Sequence, residues 1–362
     1  MNMRLKLLAP LLALFCAAPA VAESGLRDQA KGLFEPIPHE PPALPGETAT
    51  PEKLALGKML YFEPRISDNH DFSCSTCHNI SLGGGDARSS EIGHEGQLAG
   101  RKTLTVLNAV FNKSQFYDGR ASGLKDQVER SVMAFPGAKL KTRGGPTIFN
   151  PAAESAARQR AVEELKGIPG YAEAFRKAFP DAADPIAYDN VSRAIALFES
   201  TLITPDSPFD LWLKGDDEAL SDAQKRGLKL FVDKGCATCH SGVNLGGASF
   251  AQFGVAKSPG REILPEDDWG RFAVTKNVAD KFVFKAQQLR NVELNAPYFH
   301  SGKVWDLKQA VAIMAESQLG LKLADAEAAD IEQFLLSLTG KQPQVVLPIL
   351  PPAVATTPRP AP

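Results

Sequence analysis

Cysteine, histidine, methionine and tryptophan are all scarce in this chain: five, six, five and three among 362 residues. Net charge is scarce too. Forty Lys and Arg against 42 Asp and Glu leave a formal charge of −2, which gives no support to nucleic-acid binding. Long apolar runs are almost missing. The only one, Leu7 to Ala18, is too short to cross a membrane comfortably, so no membrane span is expected. Strand signals are few as well, and the fold is expected to be mainly α.

The few thiols are not scattered. Cys74 and Cys77 sit in Cys74-Ser75-Thr76-Cys77-His78, and Cys236 and Cys239 in Cys236-Ala237-Thr238-Cys239-His240. A lone C-x-x-C serves a zinc half-site, a thioredoxin-like redox pair or a disulfide. A histidine directly after both pairs argues against all three, because none of them requires His78 or His240. C-x-x-C-H is the signature of covalent c-type haem attachment: two thiols bond the vinyl groups and the histidine ligates iron. Two copies predict two c-type haems. Abundant Pro and Gly suit long loops wrapped round such groups.

The fifth thiol, Cys16, lies in an N-terminal segment that reads as a secretory signal peptide over residues 1–22. Arg4 and Lys6 precede the apolar run, and Ala20-Val21-Ala22 supplies a small-residue cleavage site before Glu23. Phe15 makes Cys16 a poor lipid-attachment site. Export to the periplasm agrees with haem attachment outside the cytoplasmic membrane. The mature chain is expected to divide into an N-terminal haem domain (23–203), a C-terminal haem domain (204–341) and a Pro-rich extended or disordered tail (342–362). The boundary falls at the linker-like Thr204-Pro205-Asp206-Ser207-Pro208, after a periodic segment with Ile195, Leu197, Phe198 and Leu202. Thr50-Pro51 predicts a helix start before the first motif. Ser221-Asp222-Ala223-Gln224 predicts a capping box before the second, and Gly235 an end to that helix. A last helix is expected from about Ala324 to Leu338, with Gly340 as its C-cap.

Each iron needs a second axial ligand. Beyond His78 and His240, the remaining histidines are His39, His70, His94 and His300, and the methionines after residue 22 are Met59, Met133 and Met314. Met314 lies well after the second motif, where cytochromes c place their methionine; a thioether there raises the reduction potential. Core packing on a helix explains it equally. His94, in the polar loop Gly93-His94-Glu95-Gly96, suits a ligand that reaches a haem and can leave it. An ordinary exposed histidine is the alternative.

With these residues in place, the chain resembles the bacterial dihaem cytochrome c peroxidases over nearly all of the mature sequence. Leu82-Gly83-Gly84-Gly85-Asp86, Thr105-Val106-Leu107-Asn108-Ala109-Val110-Phe111-Asn112, Asp118-Gly119-Arg120-Ala121, Leu289-Arg290-Asn291-Val292 and Ala296-Pro297-Tyr298-Phe299-His300-Ser301-Gly302 carry the resemblance. It implies a C-terminal haem ligated by His240 and Met314 that takes electrons from a small cytochrome c or a cupredoxin. It implies a peroxidatic N-terminal haem ligated by His78 and His94, opened to hydrogen peroxide when His94 leaves. Gln127 and Phe116 match residues lining the peroxide pocket. A homodimer and an interdomain calcium ion are also implied.

Three departures stand out. Tyr117 replaces the tryptophan usual between the haems; the swap preserves packing, but oxidation of tyrosine releases a proton. The loop after Gln127 is long, with Arg130, Lys139, Lys141 and Arg143, and its degenerate Gly145-Pro146-Thr147-Ile148-Phe149-Asn150-Pro151 brings glutamate one position late. Glu154 is the first candidate for the acid/base on peroxide and Glu129 the second, each equally readable as a solvated surface carboxylate. Lys102 stands where the family has a calcium-binding asparagine, so calcium is expected to be weakly bound or absent, the ammonium standing in for the ion. Two other functions stay open: a dihaem oxidase that matures a partner protein, against which Met314 argues, and a dihaem electron carrier or sensor with little turnover.

Overall fold

A computed structural model describes residues 18–93, 96, 98–131, 139–142, 145–149 and 151–360, with the backbone alone at 18–24, 139–142, 145–149 and 151–154. His94 lies outside the described residues, as does the side chain of Glu154.

Twelve α-helices and two short hairpins are described. Helix α1 (Ala18–Lys31) runs without a break through the cleavage point expected before Glu23. Helix α2 (Pro51–Tyr61) starts as expected: Thr50 Oγ1 accepts from the Lys53 amide and proline takes the first turn. The first motif winds as α3 (Cys74–Cys77). Helix α4 (Leu124–Glu129) precedes an antiparallel hairpin, β1 (Lys139–Thr142) and β2 (Gly145–Phe149). Helices α5 (Pro151–Lys166), α6 (Pro169–Ala178) and α7 (Tyr188–Ser200) complete the first half.

The second half comprises α8 (Pro208–Leu213), α9 (Asp222–Asp233), a β3 (Phe250–Gln252) and β4 (Val283–Lys285) hairpin that brackets α10 (Phe272–Thr275), then α11 (Leu307–Leu319) and α12 (Asp325–Leu336). The Ser221 capping box forms, and Gly235, at φ +92°, turns the chain from α9 into the second motif. Gly340 is not a C-cap. Ser337 ends α12 in the right-handed region, and Gly340 is needed elsewhere, because a Cβ there would lie 2.0 Å from the Thr204 carbonyl oxygen.

Two apolar cores form, and one construction repeats. In the first, α2 crosses α7 so closely that a Cβ on Gly57 would sit 1.9 Å from the Ala194 carbonyl oxygen. In the second, α9 crosses α12, and a Cβ on Gly227 would sit 1.8 Å from the Asp330 carbonyl oxygen. The first core buries Leu60, Tyr61, Tyr171, Phe175 and Phe198; the second buries Phe209, Trp212, Phe231 and Phe334. Each such apolar side chain contributes about 1.5–3 kcal/mol when fully buried.

The chain ends exchange halves. Ala30 and Phe34 pack in the second core, and Arg27 lies over the Trp212 ring. The tail has neither helix nor strand but is tied to the first half: Arg65 Nη2 donates to the Pro351 carbonyl and Thr357 Oγ1 to that of Gly167. Nor is the expected linker loose. Thr204 is 1% exposed; its amide donates to Asn108 Oδ1, and its Oγ1 accepts from Asn108 Nδ2 and Asn291 Nδ2. Arg290 fastens the second half: it is paired with Asp210 at 2.7 Å, both fully buried, and donates to Ser207 Oγ and to the carbonyls of Val243 and Glu35.

Candidate functional site

Each C-x-x-C-H motif opens on its own cavity. The first, about 260 Å³, is walled by Cys74, Cys77 and His78, and the second, about 280 Å³, by Cys236, Cys239 and His240. His78 Nδ1 lies 2.9 Å from the Leu104 carbonyl and His240 Nδ1 3.2 Å from that of Leu245. Donating Nδ1–H to a carbonyl fixes the ring and leaves Nε2 as the ligating nitrogen. Tyr61 of α2 donates its hydroxyl to the His78 carbonyl and so braces the first motif against the helix crossing. Two thiols and a fixed imidazole on the wall of one roomy cavity are the donor set a covalently held haem needs, and the fit occurs twice.

The cavities share a wall made of Lys102, Leu104, Thr105, Gln115 and Tyr117. Tyr117 is 7% exposed, and burial pushes its hydroxyl above the ordinary range. Its ring meets His300 edge-on at 6.2 Å. His300 stacks on Phe284 at 4.3 Å, and burial pulls it down to about 4. An ion network fastens the wall. Arg101 donates to Asp268 through two nitrogens, at 2.7 and 2.6 Å, and to Asp118 at 2.9 Å. Arg101 and Arg120 hold Asp118 below the ordinary carboxylate range against the cost of its burial. Lys102 is buried, with Nζ donating to the Thr103 carbonyl; burial lowers it to about 8, and Asp86 pulls the other way.

Met314 stands on α11 in the wall of the His240 cavity, against the cluster of Tyr117, Phe253 and Phe284. Phe116 and Gln127 both face the first cavity. Phe116 is held at φ +66° under the Arg120 guanidinium, 3.5 Å from its ring centre, and Gln127 Nε2 donates to Ser131 Oγ. Glu129 is turned away: its Oε1 accepts from Lys125 Nζ at 2.7 Å and Ser192 Oγ at 3.2 Å, and it is not among the residues lining the cavity. Glu154 falls in the first turn of α5, its side chain outside the described set.

Sequence reading passed over Glu199. It lines the first cavity at 4% exposure, and burial raises its carboxyl to about 8. A signal existed. Glu199 follows Ile195 by four and precedes Leu202 by three, so it occupies the apolar face of α7 where an acid is out of place.

The di-haem cytochrome c peroxidase family matches residues 51–218, and a cytochrome c family matches 224–339. The chain is 49% identical over 350 residues to the cytochrome c551 peroxidase of Pseudomonas aeruginosa, covering 97% of this chain and 96% of that one. It is 42% identical over 321 residues to the cytochrome c551 peroxidase of Nitrosomonas europaea, covering 88% and 90%. Among solved structures, a MauG-like protein associated with microbial copper homeostasis shares the fold at TM-score 0.70 and 24% identity, over 84% of this chain and 93% of that one. With two cytochrome c domains, two C-x-x-C-H cavities and this likeness along nearly all of its length, the chain belongs to the di-haem cytochrome c peroxidase family.

Proposed function

We propose that the protein is a cytochrome c peroxidase that reduces hydrogen peroxide to water with electrons from a small cytochrome c or a cupredoxin in the periplasm. One peroxide, two electrons and two protons give two waters. The observation that carries this is the pair of C-x-x-C-H cavities meeting at one wall, with Tyr117 in both. Electrons delivered at one cavity then cross a single side-chain layer to the other. Bound in these cavities, c-type haems supply one-electron redox chemistry and an iron centre for cleaving the O–O bond.

The roles of individual residues belong to the same proposal. Cys236 and Cys239 hold the electron-accepting group, with His240 and Met314 as ligands. Cys74 and Cys77 hold the peroxidatic group, with His78 as the permanent ligand and His94 as the one that leaves. Phe116 and Gln127 line the peroxide space. Glu154 serves as acid/base on peroxide; Glu129, engaged by Lys125 and Ser192, is the weaker candidate. Lys102 takes the charge role of the interdomain calcium, which is weakly held or absent. The protein works as a homodimer.

The test is peroxide turnover with reduced small cytochrome c, comparing fully oxidised protein with protein pre-reduced by one electron. Rapid turnover, with a high-spin signal appearing on half-reduction, supports the reading. No turnover with both haems low-spin refutes it in favour of a carrier or sensor.

A further inference from the structure

Glu199 has no part in the roles assigned above, yet it is a buried acid on the wall of the first cavity, and unlike Asp118 it has no arginine beside it. It projects from the last turn of α7, and its carboxyl takes no hydrogen bond and no ion pair among the described residues. Burial alone is what raises it. The groups facing it are uncharged: Tyr61 from α2, whose hydroxyl is used on the His78 carbonyl, and the Cys74 thiol of α3. Charged groups of the neighbouring helices α4 and α5 are engaged towards the other end of α7. Lys125 of α4 pairs with Glu129 and Asp189, and Arg158 of α5 lies over Tyr188 and donates to the Glu129 carbonyl.

A carboxylate isolated in this way is costly, so the group stays protonated unless a positive charge arrives in the cavity. The charge that changes there with turnover is that of the iron, which gains an electron and loses it; Lys102 of the shared wall, lowered to about 8, changes with pH alone and faces both cavities. We propose that Glu199 is the redox-linked proton site of the first haem, protonated when the iron is ferrous and ionised when it is ferric. The balance is one electron and one proton. On reduction, the electron comes from the cytochrome donor and a solvent proton goes to a Glu199 carboxyl oxygen; on oxidation both depart. Linkage makes the effect reciprocal: the proton favours the electron as much as the electron favours the proton. This rests on the first cavity holding a haem, as proposed above.

The test is spectroelectrochemical titration of the haem-loaded full chain between about pH 6 and 9, the range set by a buried carboxyl of this kind. In wild type, the first haem's electron affinity is expected to fall about tenfold per pH unit across the linked window, about 59 mV for one electron. The second haem's slope serves as the internal reference. Glu199→Gln is expected to flatten the first slope and leave the second unchanged, and Glu199→Asp to keep a slope at shifted pH. Reduced-minus-oxidised infrared spectra of wild type should show a deuterium-sensitive carboxylic C=O band that Glu199→Gln lacks. Equal slopes in wild type and Glu199→Gln, or a wild-type difference spectrum without that band, overturn the proposal. If Glu199→Gln does not take up haem, the wild-type infrared band and the Glu199→Asp slope decide. A chain holding haem only at Cys236 and Cys239 fails at a different point: it removes the assignment of the first cavity itself.

Discussion

Substituting alanine for Gly57 tests whether the α2–α7 crossing sets the geometry of the first haem cavity. The added Cβ would meet the Ala194 carbonyl oxygen at 1.9 Å, its carbon at 2.7 Å and Phe198 Cβ at 2.9 Å. Normal carbon–oxygen contact is well over 3 Å, near the ~3.5–4.0 Å of carbon–carbon van der Waals minima. Two of the three clashes are with backbone, so the helices must part by an ångström or more. Overpacking of this kind costs about 1–3 kcal/mol and occasionally more. Replacing a mid-helix glycine returns about 1 kcal/mol of helix propensity. A net loss of up to about 2 kcal/mol follows, read as a lower urea midpoint at unchanged slope. The location of the damage is the sharper point. Helix α2 carries Tyr61, which braces the His78 carbonyl, and α7 carries Glu199. Gly57→Ala is therefore expected to disturb the first haem's spectrum and spare the second. Gly227→Ala, at the α9–α12 crossing with Asp330, should do the reverse. Full stability in Gly57→Ala, or equal disturbance of both haems by either variant, refutes this account.

Other outcomes follow from the same contacts. Arg290→Met leaves buried Asp210 without its cation and should cost about 3–5 kcal/mol by chemical denaturation; a loss under 1 kcal/mol would show that the pair is dispensable. Lys102→Asn removes a buried ammonium from the shared wall and should raise calcium content and affinity by metal analysis; one tightly held calcium per wild-type monomer contradicts the stand-in role. Tyr117→Trp should make interhaem electron transfer less dependent on pH by flash photolysis, since indole has no comparable hydroxyl proton to lose; identical rates at every pH sink the idea. Glu199 is raised to about 8, above its unfolded value of about 4.3. In protein kept reduced, where Glu199 holds its proton, the folded state has more protons bound between those values, so stability should fall as pH rises through that window. In Glu199→Gln that part of the fall should vanish; parallel curves would rule it out.

Much of the haem chemistry was legible because it is local. Two thiols, two spacers and a histidine meet one haem on a single turn, whatever the rest of the chain does. Helix starts were legible for the same reason, since Thr50 and Ser221 cap amides three residues away. Assignments that depended on long-range neighbours fared differently. Gly340 reads as a helix cap by its position, yet its lack of a side chain serves a close approach to Thr204. Thr204-Pro205 reads as a linker by composition, yet asparagines from both halves, Asn108 and Asn291, bury it.

The sequence by itself determined that there are two c-type haem sites, that the architecture is mainly helical, and that the chain belongs with dihaem peroxidases, because these rest on short motifs and helical period. Tertiary structure alone decided which of the carboxylates Glu129 and Glu199 faces the first cavity. The apolar spacing around Glu199 marks it as an inward acid but not what it faces; packing carries it into the haem cavity, whereas α4 turns Glu129 towards Lys125. It also decided that the cavities meet at Tyr117 and Lys102 and that the chain ends exchange halves. Those outcomes depend on how helices hundreds of atoms apart pack, and a residue's neighbours across such a contact are not written beside it in the chain.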